Sequence, residues 1–164
     1  MSTVGGTSHV SEKGVAMVIE EMTEQDCRAM LARTSIGRLG CAKNNHPYVV
    51  PTCLHFDGRD ALYCCTTLGQ KIEWMRQNPR VCVQADEVIT QQQWLSLIVF
   101  GHYEELPPTD EYEAARQMAE DLFTRHAAWW EPAAVPLTGR EQRPRITFRI
   151  HISQMTGRRA KESP

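Results

Sequence analysis

The chain has 164 residues, 41% hydrophobic and 23% charged, with a formal net charge of −2 at pH 7. This length and composition predict one soluble domain with a sizeable core. The small negative charge, without a long basic run, argues against nucleic-acid binding. No apolar run approaches the roughly 20 residues of a membrane-spanning helix, and no signal-peptide core is present. We expect a flexible leader over residues 1–14 and a single domain over residues 15–164.

Hydrophobic periodicity and turn residues predict a mainly β domain with three flanking helices. In chain order the expected elements are a strand at 15–19, a helix at 23–32, strands at 37–42, 48–56 and 61–65, a helix at 68–77, strands at 80–85 and 94–104, a helix at 110–126 and a strand at 145–154. Because the strands follow one another in hairpin order with few helices between them, they indicate an antiparallel barrel. Residues 127–144 contain three prolines and are expected to be mostly irregular.

Turn and capping residues separate these elements. Residues 43–46, Lys-Asn-Asn-His, and residues 57–60, Asp-Gly-Arg-Asp, are each typical of a hairpin turn. Gly101 is expected to produce a bulge or a bend in its strand. Thr23 is expected to cap the first helix, and Asp110 followed by a glutamate three residues later predicts a capping box for the third.

The six cysteines mostly fall in apolar, strand-like segments, and none forms a C-x-x-C pair. We therefore expect buried, reduced thiols that behave as small hydrophobic side chains. Reduced thiols are typical of the cytoplasm, which is the expected location. Cys64 and Cys65 are adjacent on a strand and point to opposite faces, so they would not chelate one metal ion, and no metal site is predicted.

The corner between the strand at 61–65 and the helix at 68–77 predicts an anion site. The free N–H groups of a helix N-terminus carry partial positive charge and attract phosphate. Thr66 and Thr67 add hydroxyl groups, and Lys71 adds an ammonium group in the first helical turn. A cation there opposes the helix dipole, and a bound anion would reverse that penalty. We therefore predict a phosphate seat at this corner.

Pro51 lies in the middle of the strand at 48–56. Proline removes a donor from the sheet ladder, so it marks an edge strand, a bulge or a gap that faces a ligand. Two interpretations follow. Either this is a plain edge strand, or the main chain at residues 50–54 faces a flat ligand.

Four motifs, in this order, resemble those of the FMN-binding split-barrel family: G-R-L-G, H-P-Y-V-V-P, G-x-K-x-x-x-x-R-x-N-P-R-V and S-x-I-V-F-G. The resemblance covers residues 22–105, and the closing strand is also similar. That family includes pyridoxamine 5′-phosphate oxidase and, closer to this sequence, the nitroimidazole-resistance flavoproteins. The resemblance implies a six-stranded antiparallel split β-barrel and a homodimer that holds FMN between its two subunits.

The resemblance also implies roles for individual positions. The phosphate-binding stretch matches Thr66, Thr67, Gln70 and Lys71, preceded by Cys64 and Cys65. The strand that lies against the isoalloxazine ring matches Val50, Pro51, Thr52, Cys53 and Leu54. Ser96 lies on a strand that in relatives reaches the flavin. Trp129, Trp130 and residues 149–158 correspond to segments that close the site from the partner subunit.

One position departs from the family pattern. Many nitroimidazole-resistance relatives have a histidine seven residues before the phosphate lysine, where this chain has Cys64. We therefore expect weak nitroimidazole reduction. Cys64 itself is either a thiol activated by the nearby Lys71 or a packed side chain inside the barrel. The C-terminal arginines show no pattern that matches the substrate site of pyridoxamine 5′-phosphate oxidase, and that activity is not expected.

The function that this resemblance implies is a small flavin-dependent oxidoreductase acting on a small, flat electron acceptor. Two alternatives stay open. The chain could be a non-catalytic flavin carrier or sensor, or a haem-binding member of the same barrel group. Neither a G-x-S-x-G nor a Walker sequence is present, so hydrolase and nucleotide-triphosphatase functions have no support.

Overall fold

The structure is a computed structural model that describes residues 17–125 and 145–162. The elements in this part of the chain are β1 (Met17–Glu21), α1 (Glu24–Arg33), β2 (Ile36–Lys43), β3 (His46–Cys53), β4 (His55–Phe56), β5 (Ala61–Thr67), α2 (Gln70–Gln77), β6 (Arg80–Val88), β7 (Trp94–Glu105), a 3-10 turn (Asp110–Tyr112), α3 (Glu113–Arg125) and β8 (Arg145–Glu162). The predicted mainly β fold with flanking helices is confirmed. Within these residues no helix is both long and apolar enough to cross a membrane.

The eight strands form one antiparallel sheet in the order β3-β2-β6-β7-β8-β5-β4, and β1 also pairs with β8. No ladder joins β3 to β4 in the described residues, so the sheet curves without closing into a complete barrel. Eight strands are found, where the resemblance implies six and the hydrophobic pattern predicts seven. One reason is that the predicted strand at 48–56 divides at Leu54, whose N–H donates to the Ser35 carbonyl at 2.9 Å. Another is that β1 extends the sheet beside β8.

The long strand β8 pairs with three other strands. It pairs with β7 along one side, and with β5 and then β1 along the other. Residues 152–157 lie between the β5 and β1 ladders, and this interval splits the sheet. Close to this split, the Met22 N–H donates to the Gly157 carbonyl at 2.9 Å. A Cβ at Gly157 would lie 2.8 Å from the Cys27 sulfur, so glycine is needed for α1 to pack here.

The inner face of the sheet and one side of α1 and α2 enclose the main core. Its members with 0% exposure include Met30, Leu31, Leu39, Leu62, Cys64, Ile72, Met75, Leu97, Phe148 and Ile150. A second, smaller cluster lies on the outer face of β5, where α3 covers Ala61 and Tyr63 with Ala119 and Leu122. The inner face of the sheet therefore packs against α1 and α2, whereas on the outer face α3 covers only β4 and β5.

The two capping predictions at helix starts have opposite outcomes. Thr23 caps α1 as expected, and its hydroxyl accepts from the Asp26 N–H at 3.1 Å. The capping box predicted at Asp110 is wrong. Residues 110–112 form a 3-10 turn closed by a bond from the Tyr112 N–H to the Thr109 carbonyl at 3.0 Å. Asp110 therefore lies inside the turn, and α3 begins at Glu113.

The predicted turns agree with the structure. Asn44 and Asn45 have φ angles of 50° and 63°, which suit a two-residue hairpin of the type I′ class. Gly101 follows a shift in register between β7 and β8, so the expected irregularity is confirmed. A Cβ at Gly101 would lie only 2.3 Å from the His151 carbonyl oxygen, which explains why the strand uses glycine there.

Candidate functional site

The corner between β5 and α2 has the geometry expected of an anion site. Strand β5 ends at Thr67, and α2 begins at Gln70 with Gly69 as its N-cap residue. Gly69 has no side chain, and α2 has no side-chain cap. The Gly69 carbonyl accepts from the N–H groups of Ile72 and Glu73 at 3.0 and 3.2 Å. The preceding N–H groups of the first turn are left for a ligand.

Lys71 lies in that first turn and is half-buried. Within residues 17–125 and 145–162 it forms no salt bridge. Its charge opposes the pKa increases that burial causes at the thiols of Cys41 and Cys64, so its ammonium group lies near both β2 and β5. A half-buried cation without an ion-pair partner, at the positive end of a helix dipole, favours a bound anion.

Three contacts hold α2 in position. The ring of Trp74 packs against Tyr48 of β3 at a centroid distance of 5.6 Å. The Asn78 side chain donates to the Ala42 carbonyl at 2.9 Å. Arg76 forms an ion pair with Glu105 of β7. These anchors join residues that are far apart along the chain, so no local sequence pattern predicts them.

Strand β3 is an edge strand. Pro51 is paired with Arg38 of β2, and no described strand pairs with the other edge of β3. The open edge fits both interpretations of Pro51, and that this edge faces a ligand stays a prediction. Side chains alternate between the two faces along this segment, since Thr52 and Leu54 are buried whereas Val49 is 62% exposed.

Cys64 is fully buried in the main core. Burial raises the pKa of its thiol, and Cys53 and Cys65 act in the same direction. A hydrogen bond with Thr52 and the charge of Lys71 oppose this pKa increase without cancelling it. The thiol is thus protonated at neutral pH, and of the two interpretations the geometry favours the packed side chain.

Cys65 lies on the opposite face of β5 and is partly exposed. Its sulfur accepts a hydrogen bond from Arg145 Nε at 3.2 Å. Arg145 is also the cross-strand neighbour of Thr67, which places a guanidinium beside the end of β5. From the sequence, Arg145 could only be described as one of several C-terminal arginines, because its pairing with β5 spans a long stretch of chain.

The structure brings most of the predicted site residues together. The hydrogen bond between Thr52 and Cys64 places β3 beside β5, and Thr66, Thr67, Gln70 and Lys71 continue from β5 into α2. Cys53, the next residue of β3, also lies near Cys64, since it raises the pKa of the Cys64 thiol. The open edge of β3, with Val50 and Pro51, therefore lies next to the β5–α2 corner, whereas Leu54 follows β3 and is buried in the main core.

Ser96 lies elsewhere on the sheet. It is paired with Asp86 of β6 and Arg158 of β8, on the outer face of β7. Because β2 and β6 separate β7 from β3, Ser96 is three strand spacings, or about 14 Å, from the candidate flavin strand. Trp129 and Trp130 lie outside the described residues.

Comparisons with known proteins agree with this architecture. The chain is 35% identical to the uncharacterised protein RA0666 of Rhizobium meliloti over 147 residues, covering 88% of this chain and 97% of that protein. A crystal structure described as an FAD-binding protein from Mesorhizobium loti is 38% identical, with a TM-score of 0.73, and covers 90% of this chain and 100% of its own.

A structure described as a 5-nitroimidazole antibiotic resistance protein from Bacteroides thetaiotaomicron has the same fold. It is 20% identical, with a TM-score of 0.63, and covers 90% of this chain and 93% of its own. The sequence profile of the family described as pyridoxamine 5′-phosphate oxidase matches residues 23–159. These matches confirm the resemblance seen in the four motifs, and the chain belongs to the pyridoxamine 5′-phosphate oxidase family.

Proposed function

We propose that this chain binds a flavin and acts as a small flavin-dependent oxidoreductase, with FMN as its cofactor. The observation that carries the proposal is the half-buried Lys71 in the first turn of α2, beside two threonines and the open edge of β3. The relative from Mesorhizobium loti, 38% identical to this chain, is described as FAD-binding, which supports a flavin over other phosphate-bearing ligands.

The residues at this corner suit the phosphate end of a flavin. Lys71 would neutralise the phosphate charge, and the first-turn N–H groups of α2 would donate to its oxygens. Thr66 and Thr67 would add hydroxyl donors from the end of β5. The guanidinium of Arg145, across the strand from Thr67, would add a second positive charge.

The open edge of β3 suits the flat ring system of a flavin. An edge strand presents main-chain N–H and C=O groups that no other strand uses. At residues 50–53 such groups would bond to the polar edge of the ring. Pro51 contributes no donor at its own position, and the N–H of Leu54 is already used by the Ser35 carbonyl. A bound flavin would supply the electron transfer itself, whereas the protein holds it and sets its surroundings.

Among the described residues near this corner, none is a clear proton donor. Cys64 is buried and its pKa is raised, so it would pack beneath the flavin site and take no part in proton transfer. We therefore propose an acceptor that is small and flat, which stacks on the ring and takes electrons without a side-chain acid. A true pyridoxamine 5′-phosphate oxidase activity is not part of the proposal.

FAD is the second candidate cofactor, because the similar structure from Mesorhizobium loti is described as FAD-binding. FMN is favoured by the single phosphate seat and by the lack of a G-x-G-x-x-G dinucleotide loop in the sequence. Mass spectrometry of the acid-released cofactor decides between the two. Failure to bind either flavin after reconstitution would contradict the whole proposal.

The protein is further proposed to work as a homodimer that holds the cofactor between its subunits. The support is geometric, since the candidate site lies at an open edge of the sheet and a second subunit would enclose it. Two-fold dimers are also the commonest arrangement of soluble oligomers. Ser96, distant from the site in its own chain, could then act from the partner.

Absorption spectroscopy and rapid-mixing kinetics test the oxidoreductase proposal. The flavin-loaded protein is mixed anaerobically with NADH or NADPH, and the loss of flavin absorbance is followed before a flat acceptor such as a quinone is added. Reduction followed by reoxidation is the expected result. A flavin that neither donor reduces would indicate a carrier or sensor. A Soret band in the purified protein would indicate haem binding.

A further inference from the structure

The methionines of the described residues differ in how far solvent reaches them. Met30 and Met75 are 0% exposed in the main core, so an oxidant in solution does not reach their sulfur atoms. Met17 and Met118 are 42% and 41% exposed, and neither belongs to a core cluster of the described residues. Met22 lies between these limits, because it is only partly buried and still packs against the main core.

Met22 connects β1 to α1 at the point where both meet β8. Its N–H donates to the Gly157 carbonyl at 2.9 Å. Its Sδ lies 2.8 Å from the position that a Cβ of Gly157 would occupy, and the Sγ of Cys27 lies at the same distance from that position. The thioether of Met22 therefore fills the space that glycine leaves open, in contact with β8 and beside a buried residue of α1.

Two surface depressions border the Met22 side chain. One, of about 450 Å³, is lined by Met22 and Ser96, and the other, of about 320 Å³, is lined by Met22 and Cys27. Met155 lines both depressions as well. A molecule as small as hydrogen peroxide can therefore approach the junction of β1, α1 and β8 from either side of Met22.

An oxygen atom on the Met22 sulfur does not suit this packing. A sulfoxide is polar and needs a hydrogen-bond donor, whereas the thioether that it replaces is apolar. The nearest side chain to the open space at Gly157 is the Cys27 thiol, which is a weak donor and is 1% exposed. Because burial without a good donor is costly, we expect the oxidised side chain to turn toward solvent.

The elements on both sides of Met22 depend on this junction. In the described part of the chain β1 pairs only with β8, and the ladder ends at the pair of Glu21 with Arg158, next to Met22. Thr23, which caps α1, follows Met22 directly. A movement of Met22 away from Gly157 therefore weakens one end of the β1–β8 ladder and the first turn of α1.

We propose that Met22 is a site of reversible oxidation, and that its sulfoxide loosens β1 and the start of α1 from β8. Hydrogen peroxide is the co-reactant. A lone pair of the sulfur forms a bond to one peroxide oxygen while the O–O bond breaks, and the proton of the transferred oxygen passes to the departing hydroxide, which leaves as water. The sulfur loses two electrons and the peroxide gains them. Methionine sulfoxide reductases restore the thioether.

The test treats the purified full chain with hydrogen peroxide and then with dithiothreitol, which returns disulfides and sulfenic acids to thiols and leaves methionine sulfoxide unchanged. Peptide mass spectrometry locates the sulfoxides. Amide hydrogen exchange measures the opening of residues 17–21, with β6 as an internal reference. A sample of the oxidised chain is then treated with methionine sulfoxide reductases. None of these readouts depends on flavin binding, so the test is separate from that of the proposed function.

Four variants accompany the wild-type chain. Met22→Leu removes the sulfur at similar volume, and Met22→Gln places a polar group there without an oxidant. Met17→Leu removes the exposed thioether of β1, and Met155→Leu removes the other thioether that borders the two depressions. Melting curves show that each variant is folded. The recovery by reductases uses the unsubstituted chain, so it decides the question even where a variant is unstable.

In the wild-type chain we expect a sulfoxide at Met22 and exchange of residues 17–21 that is about tenfold faster, as for the loss of one hydrogen bond, with β6 unchanged. Reductases should restore slow exchange. Met22→Leu should keep slow exchange after peroxide, and Met22→Gln should exchange faster without it. Met17→Leu and Met155→Leu should respond as the wild type does.

Several results would overturn the inference. One is a Met22 that stays unoxidised under conditions that oxidise Met118. Another is an oxidised Met22 with unchanged exchange of residues 17–21, or faster exchange that reductases do not reverse. A full response in Met22→Leu, or a response lost in Met17→Leu or Met155→Leu, would assign the effect to a different methionine. Slow exchange in Met22→Gln would show that a polar group fits beside Gly157.

Discussion

Arg76 and Glu105 form a two-point ion pair, in which Nε and Nη2 of the arginine each lie 2.8 Å from a different carboxylate oxygen. The Tyr103 hydroxyl donates to the same carboxylate at 2.9 Å. The pair joins α2 to β7. Hydrogen bonds from Arg76 hold the pKa of Glu105 below its usual value, although burial acts in the opposite direction. The position of the phosphate seat therefore depends partly on the charge of Glu105.

This relationship predicts a pH-dependent loss of stability in Glu105→Gln. A carboxyl group with a lowered folded-state pKa stabilises the fold above its unfolded pKa, and that contribution is lost as the pH falls through the folded pKa. The variant should lose about 0.5–1 kcal/mol of unfolding free energy near neutral pH, as expected for a partly exposed pair. The difference should shrink toward about pH 3. Urea unfolding at both pH values measures it, and a difference that grows in acid would contradict the prediction.

Lys71→Met should weaken FMN binding while the melting temperature of the apo protein stays unchanged. Loss of a charge-assisted phosphate contact costs about 1.5–3 kcal/mol, or roughly one to two decades in affinity. Fluorescence titration gives the dissociation constant. Lys161→Met is the matched control, because Lys161 pairs with Glu20 at the far end of β8. An unchanged affinity in Lys71→Met would show that the phosphate binds elsewhere.

Cys64→Ala should reduce stability and leave turnover within a few-fold of the wild type. The side chain is fully buried, so its removal opens a small cavity that costs on the order of 1 kcal/mol. Cys65→Ala, at a partly exposed position of the same strand, should cost less. Melting temperatures and steady-state rates are measured together. Loss of activity in Cys64→Ala without a change in melting temperature would instead identify a catalytic thiol.

Gly101→Ala should be among the more destabilising single-methyl changes in the chain. The new Cβ would lie 2.3 Å from a main-chain oxygen of β8, and a backbone atom can move only with its strand. We expect a loss of about 1–3 kcal/mol, typical of overpacking. Gly69→Ala is the control, since no heavy atom lies within 4 Å of its Cβ position. Similar melting temperatures for the two variants would contradict the expectation.

Local signals in the sequence predicted much of the fold. The paired asparagines at positions 44 and 45 and the Thr23 cap each depend on residues that are close together in the chain. Asp110 shows the limit of such signals, because an acidic residue before a glutamate also fits a tight turn. The division of the predicted strand at Leu54 depends on the distant Ser35 carbonyl, which no local pattern reveals.

The candidate site was predictable where it is built from one continuous segment. The strand end contains Thr66 and Thr67, and the first turn of the helix that follows contains Lys71. Because a helix N-terminus attracts anions, this order of residues predicts a phosphate site. The position of Arg145 beside Thr67 could not be predicted in this way. It depends on how β5 pairs with β8 across a separation of about eighty residues, as the Cys65–Arg145 contact shows.

Strand β8 also affects how the chain folds during synthesis, because it is made after the strands that it joins. In the described residues, every ladder that connects β4 and β5 to the β3-β2-β6-β7 group passes through β8, and β1 is held by β8 as well. While residues 145–162 are still within the ribosome, the earlier strands can form only separate, incomplete sheets with exposed edges. Such edges promote aggregation, and pairings between distant segments form slowly. The growing chain is therefore expected to be most prone to aggregation before β8 emerges.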